Sequence, residues 1–580
     1  MCGIVGIISK RNFLVKTVLL KSLKKLEYRG YDSVGFATKE GIIKKDIGFI
    51  DPFIEKTKDS ETNLAISHTR WSTHGGISET NAHPHTNKEK TIIALHNGII
   101  ENYLEIKQDL ESAGYFFTTQ TDTEIIPHFF DYQLNKKKQT MQQAIKEFFK
   151  QVHGTFAILL ILKDQDALYA LKRDSPLVLG IAQDKFIFAS DIYAFSDMTN
   201  KAIFFEDNEY AIASPDKFTF YDKHGNEIKK KIQEFSWTKE EESKQHYPHY
   251  MIKEIKEQPE TSNRLVQSFT TTQKDKIDKF VNLIRRSRSI VFLGCGTSYH
   301  ASLIGAILLS HQGINCRSNI ASEAESFVSY DKETLCIAIS QSGETMDVIT
   351  ELKRAKAAGA SILSVVNVPY STIQRFSEAS IEILAGQEVC VAATKTFTNQ
   401  VIVMLELAKR FGYKIDLQAI SEKIKQTIAG SEEKIKQLAE ELCKKKDIFV
   451  LGKGMSYPMA REIALKLKEI DYIHAEGMMA GELKHGTIAL IEEGTPVISL
   501  VPNDNKDMLS ATQEVKARGA RTITISNVKD KGDIIVPESD AAEFAIYAGI
   551  IGHLLSYYIG VLLNVAIDKP RNLAKSVTVM

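Results

Sequence analysis

The second half of the chain contains the same short design twice. Ile290-Val291-Phe292-Leu293-Gly294-Cys295-Gly296-Thr297-Ser298-Tyr299 lines up with Ile448-Phe449-Val450-Leu451-Gly452-Lys453-Gly454-Met455-Ser456-Tyr457. Further on, Lys356-Ala357-Ala358-Gly359-Ala360 lines up with Lys516-Ala517-Arg518-Gly519-Ala520, and Asn367 with Asn527. Two matched segments at nearly one offset predict duplicated domains. In each copy short apolar strands alternate with longer helical stretches, so the expected class is α/β, a doubly wound parallel sheet with helices on both faces.

The copies differ where chemistry would sit. In the first, the strand expected over 335–339 runs into Ser340-Gln341-Ser342-Gly343-Glu344-Thr345 and then a helix with Val348, Ile349, Leu352 and Ala355 at helical spacing. Hydroxyls and backbone N–H groups at a helix N-terminus make a cradle for an anion such as phosphate, although Ser here also serves as an ordinary helix cap. The second copy reads Val501-Pro502-Asn503-Asp504-Asn505. Its proline removes a donor and Asp504 repels phosphate, so only the first copy is expected to hold one.

At 580 residues and 43% hydrophobic composition, the chain fills several cores in three to four domains. Lys+Arg and Asp+Glu both number 73, which offers nothing to nucleic acid or an anionic membrane. The six cysteines (Cys2, Cys295, Cys316, Cys336, Cys390, Cys443) are scattered, without CxxC or histidine partners at metal spacing. A reduced cytoplasmic protein with no metal and no organic cofactor is expected. The apolar stretch 544–567 is long enough to cross a membrane, but His553, Ser556 and Asn564 and the lack of a basic N-terminal flank favour a buried helix. The polar, aperiodic stretch 236–248 reads as a linker.

The first half opens Met1-Cys2-Gly3-Ile4-Val5-Gly6. Without Met1, Cys2 carries a thiol and an α-amine of matched pKa, hence nucleophile and base in one residue, at the head of a strand over 3–8. A small buried cysteine is the plainer alternative. His68-Thr69-Arg70-Trp71-Ser72-Thr73-His74-Gly75, Asn81-Ala82-His83-Pro84-His85, His96-Asn97-Gly98-Ile99-Ile100-Glu101-Asn102 and Thr121-Asp122-Thr123-Glu124 follow apolar runs. Each alone passes for turn chemistry.

In this order, the four motifs resemble the glutaminase domain of class II, N-terminal nucleophile (Ntn), glutamine amidotransferases. The resemblance implies an αββα sandwich over 2–235 and assigns Cys2 as nucleophile, with the Asn97 side chain and Gly98 N–H as oxyanion hole. It implies Arg70 on the α-carboxylate of glutamine, Asp122 on its α-ammonium, and Thr73, His74 and Arg29 lining or bracing the pocket. For Arg29 a structural salt bridge is an equal reading. Trp71 matches the residue that gates ammonia passage, or else is a core aromatic.

The two repeats resemble sugar isomerase (SIS) domains, a first over 249–430 with its joining segment and a second over 431–569. The order of domains, together with a tail over 570–580, resembles the glutamine:fructose-6-phosphate aminotransferases in their shorter bacterial form, without expected nucleotide-sugar feedback. That resemblance implies two small-molecule substrates, glutamine and fructose 6-phosphate. Thr297, Ser298, Ser340, Gln341, Ser342, Thr345 and Val391 would bind the sugar phosphate. Glu469 would move the proton between C1 and C2 with Lys466 beside it, and Lys575 would form a Schiff base. His485 would assist ring opening from the neighbouring subunit of a homodimer. Spacing alone reads Glu469 as a surface residue and Lys575 as solvated. Ala393 stands where the family often has Ser, so another phosphosugar is an alternative, as is a non-catalytic phosphosugar sensor.

Overall fold

The computed structural model describes residues 2–235 and 244–577, apart from the Asp504 side chain. Most of the predicted linker, the end of the predicted tail and the Asp504 side chain thus lie outside the described residues. The chain divides into two compact units, Met1–Lys239 with Ser576–Met580, and Glu240–Lys575.

The first unit is built on two antiparallel sheets of eight and seven strands. Its first strand, Gly3–Leu14, is longer than the sequence suggested and lies inside its sheet between Lys185–Ala189 and Glu61–Arg70. Alternation along the strands separates the faces. Ile4, Ile8, Leu64, Ile66, Ile93, Leu95, Leu159 and Ile161 form the core between the two sheets. Ile92, Ala94, Ile158 and Leu160 turn the other way, onto the helices Tyr103–Ser112, Ile125–Asp131 and Met141–Gln151. A helical segment over 15–24 packs on the opposite side, against the first strand. Helix, sheet, sheet and helix are the four predicted layers. Asn97-Gly98 is no hairpin turn. It lies within the strand Ile92–Ile100, paired with Gly154–Leu162.

The second unit holds two five-stranded parallel sheets. One runs Cys316–Ile320, Ser289–Gly294, Thr334–Ser340, Ser361–Val366, Ala379–Glu382; the other runs His474–Met479, Asp447–Gly452, Pro496–Val501, Arg521–Ser526, Ile534–Ile535. In each the first strand in sequence stands second in space, the order of a doubly wound sheet whose switch point flanks that strand. Ile290 and Phe292, with Ile448 and Val450, face one shared core. Val291 and Leu293 face a separate core under the first sheet, and Phe449 and Leu451 another under the second. The repeat therefore forms two sheets that bury one face in common.

That common core is filled by Ala541–Leu562, the one helix among the described residues long and apolar enough to cross a membrane. It packs against Ile420–Leu442 and Ser456–Asp471, and 83% of its most apolar window is buried. Its buried side chains each contribute about 1.5–3 kcal/mol by leaving water. Asp540 starts the helix, its carboxylate accepting from the N–H groups of Ala542 (2.9 Å) and Glu543 (2.8 Å) and from the Tyr413 hydroxyl (2.9 Å). Asp540→Ala is expected to lower stability by about 1–2 kcal/mol, read as earlier loss of helical circular dichroism in urea.

Candidate active sites

Cys2 sits at the head of the inner strand Gly3–Leu14, so its thiol has a fixed position. The Trp71 N–H reaches the sulfur at 3.3 Å, and burial pushes the thiol up from its ordinary value. Trp71 meets Tyr31 edge-on at 5.9 Å, and Tyr31 stacks on Phe49. Asn97 donates its side-chain amide to the Cys2 carbonyl (2.8 Å) and to Ser190 Oγ (3.0 Å), while its Oδ1 is buried without a partner. To donate to an oxyanion, the amide must release one of those acceptors. Gly98 has φ +131°, and a Cβ there would stand 2.0 Å from the Thr155 carbonyl, so only glycine fits.

Arg70 ends the strand Glu61–Arg70, and its guanidinium donates to the carbonyls of His74, Gly75 (3.2 Å) and Gly76 (3.4 Å). A substrate carboxylate would displace those neutral acceptors with a charged one. Asp122 is buried and accepts from the Ile100 N–H at 2.9 Å, one residue beyond the Asn97-Gly98-Ile99 run. His74 is half-buried, edge-on to Tyr103, and Thr73 is exposed. Arg29 is buried, its Nη2 paired with Asp191 at 3.0 Å and its Nε donating to the Tyr28 hydroxyl at 3.2 Å.

Behind these groups lie four buried histidines. His68 stacks on His83 with centroids 4.1 Å apart, and His83 meets His85 at 4.8 Å. The His96 N–H reaches His83 Nδ1 at 3.4 Å, and His96 Nδ1 lies 3.1 Å from Thr123 Oγ1. Together they prop the strand that carries Asn97. Burial lowers all four, His68 to about 3.

In the second unit the predicted cradle lies where Thr334–Ser340 enters the helix Met346–Ala357. Ser340 Oγ accepts from the Gly343 N–H at 2.9 Å and lies 3.0 Å from Thr345 Oγ1; Ser342 Oγ accepts from the Glu344 N–H at 3.2 Å. Gly343 has φ +67°, and a Cβ there would stand 1.9 Å from Ser371 Oγ. The Gln341 carbonyl takes the N–H groups of Asn367 and Val368. In the second copy Asn505 caps the helix Lys506–Lys516 and Asn503 pairs with Asn527, so side chains fill the place of an anion.

Thr297 and Ser298 begin the helix after the first copy's leading strand, at the switch point. Ser298 Oγ accepts from Gln400 at 3.0 Å. Thr297 Oγ1 takes a hydrogen bond from Lys466, which is fully buried and also bonds Glu469 (2.7 Å) and Glu462 (3.3 Å). Glu462 accepts from His300 at 2.7 Å; burial raises its carboxyl, yet Lys466 and His300 hold it down to about 2. Burial would lower Lys466, but the two carboxylates raise it. Glu469 is thus no idle surface group.

Lys575 is buried too, with its ammonium on Glu388 and, at 2.8 Å, on the Cys390 carbonyl. The solvated reading of Lys575 is wrong. Asp568 anchors the approach to it: its carboxylate takes the N–H groups of Tyr250 (2.9 Å) and Met251 (3.0 Å), and its carbonyl takes the Val391 N–H (3.0 Å). His485, by contrast, is exposed in the turn after Glu482.

Known proteins share this arrangement from end to end. A glutamine amidotransferase domain model matches 68–197, and a SIS domain model matches 283–410 and 441–550. Proteins named glutamine--fructose-6-phosphate aminotransferase [isomerizing] from Thermococcus kodakarensis, Pyrococcus horikoshii and Clostridium tetani are 41%, 40% and 38% identical, over 100% of this chain and of theirs. The chain belongs to this aminotransferase family. Among solved structures, the C-terminal domain of glucosamine-fructose-6-phosphate aminotransferase from Francisella tularensis is 33% identical with TM-score 0.51, covering 57% of this chain and 100% of that one. Tagatose-6-phosphate ketose/aldose isomerase from Escherichia coli shares the fold at 18% identity and TM-score 0.51, over 56% of this chain and 96% of that one.

The motifs that carry the family resemblance left several groups of the sites unread. Ser190, Glu254 and Glu388 lie far in sequence from the residues they serve, Asn97, Val389 and Lys575, and no local spacing marks them, whereas Glu462 stands one helical turn before Lys466. The buried histidines generate a pH prediction. Each binds a proton less readily folded than unfolded, so their contribution is complete above about pH 6.5 and is lost as pH falls below that, for His68 on the way to about 3. The first unit is expected to melt earlier at pH 5 than at pH 7.5, and His68→Gln to flatten that dependence in calorimetric scans.

Proposed function

We propose that this protein converts fructose 6-phosphate and glutamine to glucosamine 6-phosphate and glutamate, the first step of amino-sugar synthesis. Cys2 attacks the side-chain amide of glutamine, with Arg70 and Asp122 reading the head group and Asn97 and Gly98 receiving the oxyanion. Collapse of the tetrahedral adduct to the thioester expels ammonia, which leaves past Trp71, kept unprotonated by exclusion of water, and the thioester is then hydrolysed to glutamate. Ser340, Gln341, Ser342, Thr345, Thr297, Ser298 and Val391 hold the sugar phosphate. Lys575 forms a Schiff base with the open-chain ketose at C2, ammonia adds at C2 and displaces the lysine amine, and Glu469, poised by Lys466, then carries the proton from C1 to C2.

The observation that carries this reading is the pairing, in one chain with full-length aminotransferase relatives, of a thiol at the head of an inner strand in the first unit with a tail lysine in the second whose buried side chain rests against the sugar loop. Buried Lys466 and Lys575 favour an enzyme over a sensor, since a binding module has no use for two desolvated ammonium groups. A cytoplasmic enzyme fits a chain whose apolar helix is buried in its own core.

Purified protein is expected to release glutamate and glucosamine 6-phosphate in equal amounts when given both substrates. Cys2→Ala should abolish glutamine use while sparing sugar-phosphate isomerisation; persistent glutaminase activity in that variant overturns the nucleophile.

The exposure of His485 supports a homodimer in which each sugar site borrows this histidine from its partner. His485→Ala and Glu469→Gln, each inactive alone, are then expected to regain activity when mixed, because one site of the mixed dimer is intact. No recovery after subunit exchange refutes the sharing.

A further inference from the structure

Lys575 must lose a proton before it can attack a carbonyl, since an ammonium has no lone pair. The residue touching its Nζ is Glu388, in the segment Gly386-Gln387-Glu388-Val389-Cys390 that leads into the sugar loop. Its carboxylate is fixed at both oxygens. Oε1 accepts the N–H groups of Thr394 (2.9 Å) and Thr396 (3.1 Å), while Oε2 takes the Thr396 hydroxyl (2.7 Å) and the lysine. That aim fixes the geometry a proton transfer needs.

A second carboxyl stands behind the same loop. Glu254, on the helix Tyr250–Lys256, accepts the N–H groups of Val389 (2.5 Å) and Cys390 (3.2 Å) on Oε1, and its Oε2 is buried without a partner. The charged and titratable groups facing the pair are Lys575 and Asp568 from the tail, Lys395 and the Cys390 thiol from the loop, and His553 from the last helix. Burial and the charge of Glu388 push Glu254 up to about 8, whereas Lys575 holds Glu388 down against its own burial. Of the two, Glu254 is the carboxyl disposed to hold a proton, and Glu388 is the one that keeps its charge beside Lys575. Glu254 also lines a cavity of about 250 Å³ with Val389 and Lys395.

We propose that Glu388 is the acid–base partner of Lys575 in Schiff-base formation and that Glu254 is its positioning residue. This inference rests on the sugar-site reading above. Glu388 takes the ammonium proton, and the free amine bonds to the ketose C2 while the carbonyl oxygen gains a proton, giving a carbinolamine. Glu388 returns its proton to the carbinolamine hydroxyl, the C–O bond breaks and water leaves. The product is the iminium at Lys575 beside a Glu388 carboxylate, with protons balanced over the sequence.

Full-length protein is incubated with fructose 6-phosphate and cyanoborohydride, and the sugar reduced onto the chain is located by peptide mass spectrometry. The wild type is expected to take label at Lys575. Glu388→Gln should slow labelling about 100-fold, the loss falling on rate rather than on half-saturating sugar concentration, and Glu388→Asp should restore part of it. Above about pH 8 ionised Glu254 holds the lysine proton more tightly, so wild-type labelling falls there, and Glu254→Gln is expected to remove that alkaline fall. Undiminished labelling in Glu388→Gln, or an alkaline fall unchanged in Glu254→Gln, overturns the proposal alone. Wild-type protein without label at Lys575 overturns the sugar-site reading and the proposal together.

Discussion

Lys466 has no access to water, and its charge is met by Glu462, Glu469 and the Thr297 hydroxyl. Thr297 comes from the first repeat, the other three from the second. An ammonium in a protein interior is tolerable only when its partners are in place, and removing one partner of such a set costs about 3–5 kcal/mol. The two sheets therefore cannot shift relative to one another without breaking the hydrogen bonds that Thr297 and His300 of the first repeat make into this buried set. The switch point of the first sheet and the helix carrying Glu469 are held in one register by that requirement, and His300 and His553 extend the set to the last helix.

The duplicated sheets were legible because a strand followed by a Gly-x-Gly turn and helix is a local pattern, and local patterns survive without knowledge of tertiary contacts. The cradle at 340–345 was legible for the same reason: all its donors lie within six residues. Asn97-Gly98 alone passes for a turn signal, but the pair sits mid-strand where Gly98 fits against Thr155 rather than reversing the chain. The acids around Lys575 were not legible. Whether a glutamate is buried depends on what packs over it, and Glu254 and Glu388 come together across more than a hundred residues of chain.

Duplication followed by divergence has split the labour of the two repeats. The first gathers the hydroxyls of Ser340, Ser342 and Thr345 at its helix entrance, and the second fills the equivalent place with Asn503, Asn505 and Asn527, Asn503 bonded to Asn527 and Asn505 to the first N–H groups of its helix. Asparagine side chains imitate the anion's acceptors while carrying no charge, so the second repeat needs no ligand to complete its fold. Its helix Ser456–Asp471 is then available to carry Glu462, Lys466 and Glu469 toward the first.

Asp568 ties the chain to the joining helix through its carboxylate and to the sugar loop through its carbonyl. Mechanically it is the fixed end of a leash. From residue 568 to residue 575 the backbone extends at most about 24 Å, so a Lys575 that let go of Glu388 would still roam only a sphere of that radius. A reactive amine on so short a tether is present at millimolar effective concentration or above, and its return to the loop is a local event, independent of how much enzyme the solution contains.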